Sequence, residues 1–288
     1  MKGTHPPMMT VRVILTVLTL FIATPALVWS ESGHLVSTTP DGTVDWTTGV
    51  ATAHGIGIPP KNAVNPLQAK EMTRKAAWSV ALRNLMEVVK GVHVDSTTTV
   101  SNFVTTNDEV RTRVEGFVRG ARLVKERELS DGSGSIETTV ELKLGGEFTT
   151  AVVPKTDPKH SPMSQYQKSD AGQPKAYTGL VVDAQGLSAR PALSPRLFNK
   201  DGEEVYSGAY VDRQTAASDR IVFYAPDPAS AQSNPLVTNA PLTIKAVRAQ
   251  GTDLYISDAD AQMLHGVPKY FQFLKQAKVA VVLDKNSY

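Results

Sequence analysis

Residues 54–60 read HGIGIPP and lead, through KNAVNPLQAK, into a long helical pattern. Glycine-x-glycine ahead of a helix is an arrangement that cradles phosphate, because free backbone amides and the helix dipole both point at the anion. Here the third glycine of a dinucleotide fingerprint is missing. Pro59 and Pro60 carry no amide where the helix should open, and no acidic residue ends a second strand about 20 residues on to hold a ribose. The stretch is therefore read as architecture: a strand end where glycine permits a bulge or the close approach of a helix.

Other residues of chemical type fall into weaker patterns. Gly145, Gly146, Glu147 and Phe148 match four of the five positions of the diguanylate cyclase signature, but the further acid is absent. The six histidines, at 5, 34, 54, 93, 160 and 265, include no two at helical ligand spacing and no HExxH. Asp258 and Asp260 alternate like calcium ligands, yet no glycine turn or closing glutamate follows, so helix capping accounts for them. There is no GxSxG elbow. Asp183, Arg190 and Arg196 sit in a Gly/Pro-rich stretch and form the one candidate polar ligand site, against the plainer reading of ordinary loop ion pairs. No catalytic, cofactor-binding or metal-binding residue is expected.

The compartment is more legible. Residues 1–30 hold Lys2, Arg12 and no acid around an apolar run at 13–22, followed by Ala23, Pro25, Ala26 and Ser30. That is the layout of a cleaved secretory signal, with a run too short for a bilayer, which needs about 20 apolar residues. Cleavage is expected near Ser30, with Met8 or Met9 as alternative starts. Removing this segment leaves 28 basic and 28 acidic residues, a neutral chain of about 258 residues with no later membrane span. Neutrality argues against nucleic acid as a partner. The absence of cysteine excludes disulfides, thiol ligands and a lipobox thiol for acylation.

The organisation predicted around those residues is α+β, with two domains, each a mostly antiparallel sheet with helices packed on one face. Residues 40–150 form the first, 151–176 a flexible linker rich in Pro, Lys and Ser, and 177–288 the second. In the first, an extended stretch at 44–58 precedes a helix at 65–90, with Ala69, Met72, Ala76 and Val80 on one stripe widened by Ala77, Ala81, Leu85 and Val88. Gly91 stops it. Residues 92–104, β-branched, read as a strand. A short helix capped by Asn107 follows, then strands at 121–129 and 136–144 about a turn at 131–134. The second domain reads as a short strand at 180–183, a hairpin at 195–206, a strand at 242–249, a stretch at 253–256 leading to a helix capped by Ser257, a helix at 267–277, and a buried, central strand at 279–283.

The runs VDWTTGVATAHGIGIPP, AKEMTRKAAWSVALRNLMEVVKGVHVDSTTTV and EVRTRVEGFVRGARLV, spread over about residues 44–148, resemble the twenty-kilodalton outer-membrane lipoprotein family and the N-terminal domain of flagellar assembly protein T. The second half, from YTGLVVDAQGLSARPALSPRLF to KVAVVLD, resembles a segment that accompanies this domain in uncharacterised bacterial envelope proteins. The resemblance implies an exported, periplasmic cell-envelope protein associated with the outer membrane, and in some relatives a ring around the flagellar motor. It transfers no catalytic residue. Two features depart from it: the lipidated cysteine is missing, and the second half does not look like the later flagellar domains.

The resulting expectation is a non-enzymatic periplasmic protein that binds envelope proteins or itself. The alternatives are a ligand-binding or enzymatic module in the second domain around Asp183, Arg190 and Arg196, and a flagellar accessory protein.

Overall fold

The computed structural model describes residues 33–153 and 175–285, all within one compact unit, Ser32–Tyr288. The signal segment and most of the linker, 154–174, lie outside the described residues. The chain order in the first half is β1 (Val36–Thr39), β2 (Gly42–Asp45), β3 (Val50–Gly57), α1 (Pro66–Lys90), α2 (Val100–Thr106), α3 (Asp108–Arg119), β4 (Arg122–Glu128), β5 (Ile136–Lys143) and α4 (Glu147–Val152). Five antiparallel strands form one sheet in the order β1-β2-β3-β5-β4.

Helix α1 starts and stops where its residues dictate. The Asn65 side chain accepts from the Gln68 amide, Pro66 occupies the first turn, and Gly91 closes the end with Lys90 inside the last turn. Its buried residues are Thr73, Ala77, Ala81, Leu85, Val88 and Val89. The other expected stripe is not buried: Met72 and Ala76 are exposed, and Ala69 and Val80 are only half-buried. The reason is facing: the stripe that meets Gly57 and Gly55 is Thr73, Ala77 and Ala81, and Met72, Ala76 and Val80 each lie one residue earlier, about 100° around the helix. Small residues face small residues at the contact, Ala77 and Ala81 against Gly55 and Gly57.

Residues 92–104 are a correction. They do not form a strand; His93 and Thr99 make an isolated bridge, and α2 begins at Val100. The Asn102 side chain accepts the Thr99 amide at 2.7 Å, a capping interaction that outweighs the β-branched propensity of Val100 and Val104. The expected linker also starts later than residue 151, because α4 continues to Val152, which is buried with Phe148.

The second half contains β6 (Leu180–Asp183), β7 (Leu197–Phe198), β8 (Glu204–Tyr206), α5 (Arg213–Ser218), β9 (Phe223–Ala225), α6 (Pro228–Gln232), β10 (Leu242–Lys245), β11 (Arg248–Gln250), β12 (Asp253–Tyr255), α7 (Asp258–Gly266), α8 (Pro268–Lys275) and β13 (Val279–Val282). It is α+β, but its central sheet, β10-β6-β13-β9, is parallel rather than antiparallel. A smaller mixed sheet, β11-β12-β7-β8, packs beside it. Parallel pairing follows from the intervening helices, α6 between β9 and β10 and α7 with α8 ahead of β13, which return the chain to the same end. The expected single strand at 242–249 is two: β10 joins the parallel sheet, whose ladder ends with the Ala246 amide on the Asp183 carbonyl, and from Val247, whose amide donates to the Tyr255 carbonyl, the chain passes to the mixed sheet as β11.

Strand β13 lies between β6 and β9, and all four of its residues are buried. One of its faces, with Val181, Phe223 and Ala225 of its neighbours, packs on Ala231 and Val237. The other joins the main core, which continues without a break into the first half through Tyr224, Trp46, Leu144 and Phe148. Trp46 and Tyr224 meet edge to face at 5.9 Å across that join. Arg220 reinforces it, donating to the Trp46 and Thr47 carbonyls at 3.1 and 2.9 Å.

Candidate functional site

The three residues singled out as a polar site have separate surroundings. Asp183, at the end of β6, accepts the Gln185 amide through its carboxylate. Arg190 is exposed, and its backbone amide donates to the Gly251 carbonyl. Arg196 is 5% exposed and grips Asp253, with Nε to Oδ1 at 3.1 Å and Nη2 to Oδ2 at 3.0 Å. Ser96 from the first half completes this knot, accepting from Arg196 Nη2 at 2.7 Å and donating to Asp253 Oδ2 at 2.6 Å. A buried guanidinium held in this way is a fastening between halves.

The carboxyl end of a parallel sheet is where many α/β proteins bind ligands. Here its carboxylates are committed to the chain. Asp227 caps α6 through the Ser230 amide and hydroxyl, whose hydrogen bonds hold its carboxyl below the usual range. Asp284 accepts the Gly186 amide at 2.8 Å. Among the described residues no three His, Asp or Glu side chains converge as metal ligands. Asp260 serves the Ser257 cap of α7, and Asp258 accepts the Lys200 amide. Of the four residues resembling the cyclase signature, Gly146 caps α4 with φ of 63°, and Phe148 is buried.

HGIGIPP has the architectural role read from its sequence. A Cβ on Gly55 would stand 2.2 Å from the Ala81 nitrogen, and one on Gly57 2.1 Å from the Thr73 carbonyl oxygen. These glycines let the α1 backbone rest on β3.

An open groove of about 250 Å³ lies elsewhere, where the two halves meet. One wall is the end of the first half, Thr149, Thr150 and Val153. The other comes from the second half: Gly208 and Ala209 in a single 3-10 turn (Gly208–Tyr210), then Val211, Arg213 and Ala216 at α5, and Ile221. The local sequence explains the walls. Ser207 caps the 3-10 turn by accepting the Ala209 amide, and α4 is tied to the second half by the Gly146 amide on the Asp219 carbonyl. Gly208 sits so close to Val153 and Ile221 that an added Cβ would lie 3.1 and 2.9 Å from them.

Most polar groups lining the groove are already engaged. Thr149 and Thr150 hydroxyls donate to the Leu144 and Glu147 carbonyls. Backbone amides of Gly208, Ala209 and Val211 donate to Ser194 Oγ, Ser207 Oγ and the Gly208 carbonyl. Arg213 is exposed and makes no hydrogen bond or ion pair with the other described residues. The groove therefore offers apolar walls and one guanidinium. No sequence signal pointed to it, because α5 is six residues long and its wall partners lie some sixty positions earlier.

Comparison with known proteins divides the chain near this same junction. Residues 48–143 match the family described as LPP20 lipoprotein, and residues 179–285 match the second domain of Treponema pallidum Tp0624. Both halves read from the sequence are thus similar to known families. No curated protein matches the chain.

Proposed function

We propose that this chain is a non-enzymatic protein of the periplasm, associated with the outer membrane, that binds another envelope protein through the groove between its halves. Its similarity to LPP20 lipoprotein over 48–143 makes the chain lipoprotein-like and supports an envelope location. The signal pattern at residues 1–30 supports export. The flagellar reading rests on the quoted sequence runs alone.

One observation carries the binding reading: Asp183 and Arg196, two of the three residues offered for chemistry, are held in a turn and in the Arg196–Asp253 pair, while the groove places Arg213, which has no partner among the described residues, beside apolar walls. Concave, mostly apolar sites with few polar groups are the usual form of a binding site, and they favour domain junctions. The enzymatic alternative around Asp183, Arg190 and Arg196 loses its central cation to Asp253.

The test is osmotic-shock fractionation of a tagged chain, followed by formaldehyde crosslinking in cells and mass spectrometry of the capture. Recovery in the periplasmic fraction with a reproducible envelope protein supports the proposal. A cytoplasmic chain, or an exported chain that captures nothing, contradicts it.

A further inference from the structure

The proposed outer-membrane association needs a means of attachment, and the chain has no cysteine to carry an acyl group. One end of the first half has the chemistry for it. Strand β3 runs from Val50, next to Gly49 and its close contact with Arg220 of the second half, to Gly57 about 24 Å away. Beyond Gly57 the chain turns at residues 58–65 into α1. Ile58, Val64 and Leu67 are 73%, 85% and 72% exposed, the three most exposed large hydrophobic side chains among the described residues, and they fall within ten positions.

The backbone that carries them is stiff. Pro59, Pro60 and Pro66 fix φ. The Val64 amide donates to Gln68 Oε1 at 2.8 Å, and Asn65 Oδ1 accepts the Gln68 amide at 2.9 Å. Gly57, the last residue of the strand, meets Thr73, so the seven residues of α1 before Thr73 continue about 10 Å past that contact. Aliphatic groups held in water on a stiff frame lose little entropy when something covers them.

Charge and area select what covers them. No acid occurs between Asp45 and Glu71, while Lys61 and Lys70 flank the three side chains. Across the same end, Glu126 and Glu128 are met by Arg74 and Lys70, and Asp131 accepts the Ser133 amide of its own turn. Lys61 is exposed and has no ion-pair partner among the described residues. Three aliphatic side chains offer about 300 Å², against roughly 800 Å² per partner for a stable protein interface. A bilayer sets no such threshold, because separate aliphatic groups enter it independently and lysine stems lie along them with their ammonium groups at the phosphates.

We propose that this end of the first half docks on a phospholipid bilayer, Ile58, Val64 and Leu67 entering its interface and Lys61 meeting an anionic headgroup. This rests on the proposed outer-membrane association and supplies its means, a peripheral and reversible attachment.

The experiment is co-sedimentation of the full exported chain with vesicles of phosphatidylethanolamine and phosphatidylglycerol, and with vesicles of phosphatidylcholine alone. Binding to both is expected, about fivefold tighter to the anionic vesicles. Val64→Ser combined with Leu67→Ser should lower partitioning at least about tenfold and leave the thermal melt in place, because both side chains are exposed. Lys61→Gln should bring the two vesicle types level. Absence of the chain from both vesicle pellets overturns the proposal, as does undiminished sedimentation of the double variant. Self-association without vesicles that the double variant loses overturns the bilayer as occupant and assigns the surface to a second copy. Cell fractionation decides the outer-membrane association and the vesicle comparison decides this surface, so the two fail separately.

Discussion

Arg196 and Asp253 form a two-point ion pair, both side chains nearly out of solvent, with Ser96 from the other half bonded to both. The residues come from positions 57 apart in one half and about a hundred apart across the halves, so the knot exists only when the two halves are docked. Removing the Asp253 carboxylate takes the bidentate acceptor from a buried guanidinium, which costs about 3–5 kcal/mol. Asp253→Ala should therefore lower the urea midpoint strongly, and Ser96→Ala by about 1–3 kcal/mol. An Asp253→Ala chain as stable as the parent would remove this pair from any role in joining the halves.

The glycines of HGIGIPP lead to a second prediction. Gly55→Ala places a Cβ 2.2 Å from the Ala81 nitrogen and 2.3 Å from the Ala77 carbonyl oxygen, so α1 must lift from β3. Overpacking of this kind costs about 3 kcal/mol. Gly116 lies within α3 with nothing within 4 Å of an added Cβ, and Gly116→Ala should raise stability by up to about 1 kcal/mol. Thermal melts of the two variants should shift in opposite directions. A shift in the same direction would mean that the β3–α1 contact is looser than described.

Acid sensitivity should centre partly on Asp45. Burial by itself would raise its carboxyl, but hydrogen bonds with His34, at 2.6 Å, and with the Thr48 amide outweigh it and hold the group below its ordinary value of 3.8. Because the folded value is depressed, the associated stability is present in full above about pH 4 and is lost as pH falls through the lower folded value. Asp45→Asn should therefore be less stable than the parent at pH 6, with the gap closing below pH 4. Urea titrations across that range check it, and a gap that is constant or widens towards low pH would contradict the assignment.

Local signals in the sequence were sufficient for the elements that carry their own start and stop. Asn65, Gly91, Asn107 and Ser257 mark helix ends correctly because caps act within four residues. The alternation of Ile136, Thr138, Val140 and Leu142 gave β5, and the apolar run at 279–283 gave a central buried strand. What failed depends on distant partners. Strand β9 has three residues and α6 five, too short for any period, and without them the parallel order of the second sheet could not be read. Asp183, Arg190 and Arg196 looked alike as loop charges; only the fold separates a turn carboxylate, an exposed arginine and a buried pair. The groove was illegible for the same reason, since Val153 and Ile221 meet only once Asp219 has tied down α4.

The most direct test of the account is a photo-crosslinking amino acid placed at Ala209 on the groove rim, compared with one at Thr52 on the opposite, open face of the first sheet, in living cells. The binding account predicts one discrete adduct with an envelope protein from position 209, weakened by Arg213→Glu, and none from position 52. Equal adducts from both positions, or an adduct from position 209 only to this chain's own residues 154–174, would contradict it.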